Sequence, residues 1–304
     1  MKLRLTFLAF LIATACYGQI SMERQDEGIL IKDGDSDVLF YQIEPKSING
    51  KYLRNNYIHP LWGINGNVLT EDFPEGHLHH RGIFWAWHQI WINGKRIGDG
   101  WELKDFIQDI SEVEFLVNKK GQGVLNTKVY WHSPLWASGK GPYIREDASI
   151  VVHPKQGKKR RIDFEIQLFA LEDGLSIGGS EDSKGYGGFS ARIILPEDIL
   201  FSGEDGNVQP ETNAVDAGPY INISGAFGKN GGKGGIALLE NPENPGYPNP
   251  WILREKGSMQ NVAWPGREPV RISTSEPIVL KYSMVVYKGK LKDKKIRKIV
   301  SNKM

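Results

Sequence analysis

Cysteine is almost absent from this chain of 304 residues: only Cys16 is present. It lies in a segment typical of a secretory signal peptide, in which Lys2 and Arg4 precede the apolar run 5–15. Cleavage after Gly18 would leave a mature chain without a thiol. Disulfides, cysteine nucleophiles and thiolate metal sites would then be excluded.

A lipoprotein signal with Cys16 as the lipidated residue is the alternative. Ala13 stands where such signals prefer leucine, which favours cleavage after Gly18 instead. The sequence therefore predicts a periplasmic or secreted protein with residues 1–18 as the signal peptide.

Long hydrophobic runs, linkers and repeats are also missing. The run 5–15 is too short to cross a bilayer, which needs about 20 residues, and no later run is longer. Neither a Pro/Ser-rich linker nor a repeat of about 20 to 50 residues divides the chain. We therefore predict a single domain over residues 19–304 and no transmembrane segment.

An excess of charge of one sign is lacking as well, because the whole chain carries only +2 and residues 19–304 carry zero. Residues 288–303 hold eight basic residues and one acidic residue, so the remainder is about −7. A nucleic-acid-binding protein spreads basic residues over one face, and this distribution argues against one. The tail LKDKKIRKIV predicts a short helix with Leu291, Ile296, Ile299 and Val300 facing inward; attraction to an anionic membrane or glycan is the alternative.

Alternation of apolar and polar residues, the pattern of a half-buried β-strand, is abundant. In RIDFEIQLF, apolar and polar residues alternate over residues 161–169, and ASIVVHP is its predicted hairpin partner through KQGKK. SEVEFLV and VLNTKVYWH form a second predicted pair around KKGQG, and Asn93-Gly94 in WINGKRI is a strong hairpin signal. Further strands are predicted at GILIK, DVLFYQI, GFSARIIL, GGIALLE and PIVLKYSMVVY. The fold class is therefore all-β, a large antiparallel β-sandwich with a short C-terminal helix.

Histidine and tryptophan are concentrated in one segment, DFPEGHLHHRGIFWAWHQIW, residues 72–91. It holds four of the seven histidines and three of the nine tryptophans. The pentapeptide HLHHR lies in a loop that enters a strand, and three imidazoles with an arginine are costly to bury together. HLHHR is thus the functional signal. IFWAWHQIW also fits a strand buried on both faces, so at least half of its tryptophans are expected in the core.

Acid–base chemistry on a neutral polar substrate is the leading interpretation. Imidazoles exchange protons near neutral pH, so His79 and His80 are the candidate acid and base, with Arg81 as an oxyanion clamp and Asp72 as an orienting carboxylate. Indole faces suit sugar rings. The predicted substrate-binding residues are His77, Trp85, His88, Lys184, Tyr186, Arg192, Asn244, Trp251 and Arg254.

Metal binding is a second interpretation. His77 and His79 share a face of an extended segment and are the candidate ligands of a divalent metal. The glutamate that follows such a pair in cupins is missing here, where Arg81 and Gly82 stand instead. No cofactor is otherwise required. A third interpretation is a glycan-binding protein without catalysis that uses the same aromatic residues.

Three stretches carry a family resemblance: HPLWGINGNVLTEDFPEGHLHHRGIFWAW, KGYGGFSAR and NPENPGYPNPW. Together they resemble a family catalogued as a domain of unknown function and often labelled methane oxygenase PmoA. The resemblance implies a secreted or periplasmic protein of bacteria that degrade polysaccharides. The oxygenase label conflicts with a chain that has no spanning helix after its signal.

The layout also loosely resembles the galactose-mutarotase type of super-sandwich, which implies a histidine and a carboxylate acting on a sugar, although no carboxylate stands in the matching place. The sequence thus predicts a carbohydrate-active enzyme, a hydrolase, lyase or epimerase acting on a sugar or oligosaccharide.

Overall fold

A computed structural model describes residues 19–228, 231–257 and 259–301. The predicted signal peptide, residues 1–18, lies outside the described residues. Within them, no helix combines the length and the apolar character that crossing a membrane requires.

Antiparallel strands make up most of the chain. In chain order they are β1 (Ile20–Arg24), β2 (Gly28–Asp33), β3 (Ser36–Gln42), β4 (Lys46–Ile48), β5 (Lys51–Arg54), β6 (Tyr57–Leu61), β7 (Ile83–Trp87), β8 (Gln89–Ile92), β9 (Lys95–Gly98), β10 (Ile107–Val117), β11 (Gly123–His132), β12 (Ile144–Val152), β13 (Lys159–Ala170), β14 (Leu175–Gly178), β15 (Gly187–Ala191), β16 (Leu200–Gly203), β17 (Gly206–Asn207), β18 (Tyr220–Gly225), β19 (Gly234–Glu240), β20 (Trp251–Ile252), β21 (Gln260–Val262), β22 (Val270–Arg271) and β23 (Ile278–Lys288).

Two large sheets and two small ones result from their pairing. The eight-stranded sheet has the order β1-β2-β3-β6-β7-β15-β21-β20, and the nine-stranded sheet has the order β10-β11-β12-β13-β23-β19-β18-β16-β17. A four-stranded sheet, β22-β14-β8-β9, and the hairpin β4-β5 complete the described strands. The prediction of an all-β antiparallel sandwich is confirmed.

The predicted hairpins form as the sequence patterns indicate. β12 pairs with β13 and β10 with β11, each across the expected turn. β8 pairs with β9 across Asn93 and Gly94, and both turn residues have positive φ, 50° and 76°. That conformation is what a two-residue hairpin turn requires, and asparagine and glycine adopt it most easily.

One core joins the two large sheets. Phe189 of the eight-stranded sheet packs on Phe164 and Tyr282 of the nine-stranded sheet, with ring centroids 4.9 and 4.7 Å apart. Trp87 and Trp131 approach to 5.9 Å in the same way. Aromatic pairs of this kind add packing energy to the burial of their large apolar areas.

A buried carboxylate, Glu146 of β12, also links the sheets. It accepts hydrogen bonds from the indole N–H groups of Trp85 (2.8 Å) and Trp131 (2.9 Å) and from the side-chain amide of Asn56 (2.8 Å). Glu146 is fully buried, and burial raises its pKa to about 7. Its three donors satisfy a group that would otherwise be costly to bury.

The predicted C-terminal helix is confirmed as α1 (Asp293–Ser301). Ile296 is fully buried, and Leu291 and Ile299 pack beside it against Leu239 and Val285 of the nine-stranded sheet. The predicted inward position of the Val300 side chain lies outside what the structure describes.

Candidate functional site

The histidine loop runs between β6 and β7 and brings three imidazoles into contact. His77 and His80 stack with ring centroids 4.9 Å apart, and His79 meets His80 edge-on at 4.3 Å. Backbone hydrogen bonds from His77 N to Pro74 O (3.1 Å) and from His80 N to His77 O (2.9 Å) fix the turn. HLHHR therefore forms one compact cluster.

Gly82 is the residue that lets this loop enter β7. Its φ is +45°, and a Cβ atom there would lie 1.9 Å from the carbonyl oxygen of Ile58. Only glycine fits a left-handed position with backbone this close. The glycine after HLHHR is thus a steric requirement of the loop.

The ion pair of Arg81 and Asp72 differs from the predicted roles of these residues. Arg81 is fully buried: its Nε donates to Asp72, and its Nη1 and Nη2 bond to two carbonyl oxygens and to the Tyr57 hydroxyl. Asp72 also receives the ammonium of Lys46 at 3.1 Å. Arg81 is therefore held within the loop and does not face a cleft, and Asp72 orients Arg81 and not an imidazole.

A second buried arginine stands behind the histidines. Arg192 of the KGYGGFSAR stretch pairs through Nε with Glu71 at 2.7 Å and approaches Nδ1 of His80 at 3.4 Å. His80 is only 3% exposed. The pairing makes Nδ1 of His80 the hydrogen-bond acceptor, which leaves Nε2 with the proton.

The loop after β9 supplies three residues that no sequence pattern indicated: Asp99, Trp101 and Glu102. Asp99 Oδ1 accepts the backbone N–H groups of Trp101 (3.0 Å) and Glu102 (2.8 Å). Arg54 donates to the carbonyl oxygens of Gly100 (2.7 Å) and Trp101 (3.3 Å). These bonds fix the position of the Trp101 indole.

Trp101 lies at the centre of the site. Its ring lies 6.0 Å from His80, 5.3 Å from His88 and 5.5 Å from Tyr186, measured between centroids. Trp101 is 2% exposed. It therefore joins the HLHHR loop, the start of β8 and the KGYGGFSAR stretch into one site.

His88 and Asp99 form a hydrogen-bonded pair, with Nδ1 of His88 3.0 Å from Asp99 Oδ2. Arg96 also reaches Asp99 Oδ2, at 3.2 Å, and donates to the His88 carbonyl oxygen. A carboxylate at Nδ1 holds a proton there, so Nε2 of His88 is the acceptor nitrogen. None of the residues that the structure describes forms a hydrogen bond with this Nε2.

His79 and Glu102 form a second such pair, at 3.4 Å between Nδ1 and Oε2. The Glu102 side chain is 47% exposed and that of His79 is 13% exposed. The site thus contains two imidazole–carboxylate pairs, one largely buried and one more open to solvent.

Burial and nearby arginines keep the imidazoles of His79 and His80 neutral. Burial lowers the pKa of His79 to about 4, and the positive charge of Arg54 acts in the same direction. Burial likewise lowers the pKa of His80 to about 2, helped by His79 and Arg192. Burial raises the pKa of Glu102. At neutral pH the site therefore combines the neutral imidazoles of His79 and His80 with the carboxyl group of Glu102, which holds its proton more tightly than usual.

Other predicted residues lie at the margin of this site. Tyr186 is half-buried, and its hydroxyl accepts a hydrogen bond from Arg254 Nη2 at 2.7 Å. Arg254 also donates to the carbonyl oxygens of Glu211 and Thr212. Lys184 pairs with Asp182 at 3.2 Å.

Three predicted substrate-binding residues are not brought to the cluster. Trp85 and Trp251 are 2% and 1% exposed and belong to the core, where the Trp251 indole donates to the Gly218 carbonyl oxygen. Asn244 is buried and bonded twice to the backbone of Lys281. We expected at least half of the tryptophans in IFWAWHQIW to be core residues. Two of the three, Trp85 and Trp87, are buried.

The candidate metal ligands His77 and His79 have ring centroids 6.2 Å apart and nearly perpendicular planes. Over the residues described, no group of three or more His, Cys, Asp or Glu side chains has an arrangement that could hold a metal ion. A metal role for the pair remains a prediction from sequence.

A cavity of about 290 Å³ borders the site. Its lining includes Arg96 and Asp99, together with Lys104, Asp105 and Leu135. This volume is near the lower end of the range for small-ligand pockets, about 300 to 1,000 Å³.

Comparison with known proteins identifies a family for this chain. A family model described as a family of unknown function, DUF6807, covers residues 29–301. No curated protein matches the chain.

Proposed function

Since the chain belongs to the family of unknown function DUF6807, as the resemblance predicted, we propose its activity from the site: it is a carbohydrate-active enzyme, a hydrolase, lyase or epimerase acting on a sugar or oligosaccharide. The observation that carries the proposal is the presence of two imidazole–carboxylate pairs next to Trp101: the His88 ring stacks on the indole, and Glu102 is the next residue in the chain. All three reaction classes need one group that takes a proton and one that gives it.

His88 is the base in this proposal. Asp99 holds the proton on Nδ1 and stabilises the imidazolium that forms when Nε2 accepts a second proton. Arg96 fixes Asp99 in turn, through a contact of 3.2 Å. This chain of contacts resembles the way in which carboxylates orient catalytic histidines in general.

Glu102 is the acid in this proposal. Its raised pKa increases the protonated fraction, and its exposure gives a substrate access to it. His79, 3.4 Å away, orients the carboxyl group and can exchange the proton with it. His80 is buried, so it supports the rings of His77 and His79 and does not touch substrate.

Tyr52 and Tyr186 are the proposed sugar-contacting rings, in place of Trp85 and Trp251. Both are half-buried; Tyr52 lies 6.5 Å from His79 and Tyr186 lies 5.5 Å from Trp101. Aromatic faces beside polar groups suit the CH faces and hydroxyls of sugar rings.

Turnover of an oligosaccharide panel tests the proposal. We expect the wild-type protein to convert at least one member, and the His88→Asn and Glu102→Gln variants to lose activity by about 10²- to 10⁴-fold, as expected for lost acid–base groups. His153→Asn is the matched control, because His153 also pairs with a carboxylate, Asp163 at 2.7 Å, but outside the site.

Turnover that His88→Asn and Glu102→Gln retain at the level of the His153→Asn control would refute the assigned roles. Binding of a glycan without turnover would favour the glycan-binding alternative. Bound metal in the purified protein that is lost in His79→Ala would favour the metal-dependent one.

A further inference from the structure

Four connections meet at one end of the nine-stranded sheet. The register aligns Val117 with Gly123, Gly123 with Val152, and Val152 with Ile162. Lys159 pairs with Tyr287 and Gly234 with Lys288. The β10–β11, β12–β13 and β18–β19 turns and the exit of β23 therefore lie side by side.

Lysines occupy all four of these connections. We call this set the basic rim; its members are Lys119, Lys120, Lys155, Lys158, Lys233 and Lys288. Every one is exposed, and none forms an ion pair with another described residue. Residues 19–287 carry a net charge of about −7, so five of these six lysines form a local concentration of positive charge within an acidic part of the chain, and Lys288 begins the basic tail.

Apolar side chains are exposed beside the basic rim. Leu116 and Val117 are each 40% exposed and end β10, an edge strand of the sheet, directly before the turn with Lys119. Lysines next to exposed aliphatic side chains suit a phospholipid surface, where ammonium groups meet phosphates and aliphatic groups enter the headgroup layer. An acidic polysaccharide would not require the aliphatic groups.

The first described residues lie at the same end. Gln19 accepts a hydrogen bond from Gly34 N at 3.2 Å, Ile20 pairs with Asp33, and a Cβ on Gly123 would meet the Ile20 side chain at 2.4 Å. The chain therefore enters its first described strand, β1, next to the basic rim.

The histidine cluster lies toward the opposite end. Leu135 follows the far end of β11, and it lines the cavity that also contains Asp99. A surface bound at the basic rim would leave the cluster open.

We propose that the basic rim docks the protein on an anionic phospholipid surface with the histidine cluster turned away from it. This inference does not depend on the proposed enzymatic function. Binding is electrostatic in the main, so it weakens as salt screens the charges.

Co-sedimentation of the protein without its predicted signal peptide, residues 19–304, with vesicles is the test. Vesicles of phosphatidylcholine with phosphatidylglycerol are compared with vesicles of phosphatidylcholine alone, at low and at high salt. We expect binding to the anionic vesicles at low salt only. Lys119→Glu/Lys120→Glu should weaken it by at least tenfold, whereas Lys140→Glu/Lys256→Glu, which changes the net charge equally at exposed lysines away from the rim, should change it less than twofold.

Three results would overturn the proposal: no binding to anionic vesicles at low salt, equal weakening by both double variants, or binding to an acidic polysaccharide such as polygalacturonate without binding to vesicles. Far-UV circular dichroism of both variants checks that they are folded. None of these outcomes bears on sugar turnover.

Discussion

Single residues in this protein carry ionisation states that differ from those in water, and burial is the main cause. Glu146 and His80 are the clearest cases, with pKa values near 7 and near 2. Burial disfavours the charged form of each, so a carboxyl group is shifted upward and an imidazole downward. Their effects on stability are therefore opposite in sign over the same range of pH.

For Glu146, the folded pKa lies above the unfolded value of 4.5. Its stabilising contribution is present below pH 4.5 and is lost as the pH rises through about 7. We expect the stability difference between wild type and Glu146→Gln to fall by about 2 to 3 kcal/mol from pH 5 to pH 8. Urea unfolding at both pH values measures it, and a difference that does not vary with pH would contradict the raised pKa.

For His80, the folded pKa lies below the unfolded value of 6.5. The stabilising contribution of the neutral His80 imidazole is present above pH 6.5 and is lost as the pH falls below that value. The stability difference between wild type and His80→Asn should therefore fall by about 2 kcal/mol from pH 7 to pH 5. The same urea titrations measure this change, and an increase toward acid pH would show that His80 is charged in the folded protein.

At the scale of elements, loops and not strands position the site. The HLHHR loop enters β7 at Gly82, and the loop after β9 is held by Asp99 and Arg54. β7 itself is buried on both faces, so it is a rigid base for the loop that precedes it. Backbone geometry at the junctions therefore decides where the imidazoles lie.

Gly82→Ala tests this dependence. Its Cβ would overlap the Ile58 carbonyl oxygen at a positive φ, so we expect a loss of stability above about 2 kcal/mol. Gly76→Ala is the control in the same loop: φ is +77°, but no atom lies within 4 Å of its Cβ. The cost there should be about 1 kcal/mol. Equal costs, measured by urea unfolding, would show that the contact with Ile58 does not constrain the loop.

For the whole molecule, one hydrophobic cluster contains residues of both large sheets and of the four-stranded sheet, such as Leu39, Ile150 and Ile177. Shared burial couples the unfolding of elements that contribute to it. The single domain was predicted from the lack of a linker. The shared cluster gives a physical reason to expect that the sheets unfold together.

Differential scanning calorimetry checks that prediction. We expect one unfolding transition with equal calorimetric and van't Hoff enthalpies. Two resolved transitions, or a calorimetric enthalpy well above the van't Hoff value, would indicate that the sheets unfold separately.

Much of the fold was predictable from sequence because its signals are local. The alternation in residues 161–169 and the Asn93-Gly94 turn depend only on neighbouring residues and on the geometry of a strand or a turn. The C-terminal helix was predictable for the same reason, since Ile296 and Ile299 recur at helical spacing.

The site was predictable in part. HLHHR was identified because so many polar rings rarely serve packing, and His88, Tyr186 and Arg192 do lie next to it. Asp99 and Glu102 were missed, since single carboxylates in a loop look like solvated residues until the chain folds. The only available signal for them was their position: DGWE, residues 99–102, directly follows the β8–β9 hairpin, which starts beside His88.

By itself the sequence determined the strands, their turns and the loop that carries the histidines, because period-two alternation and turn residues act over a few positions. Only the tertiary structure decided which polar groups meet. Arg81 and Asp72 pair with each other inside the loop, whereas His79 and His88 find Glu102 and Asp99. The physical reason is that a buried polar or charged group is costly without a hydrogen-bond partner, and which partner lies within reach depends on contacts between residues distant in the chain.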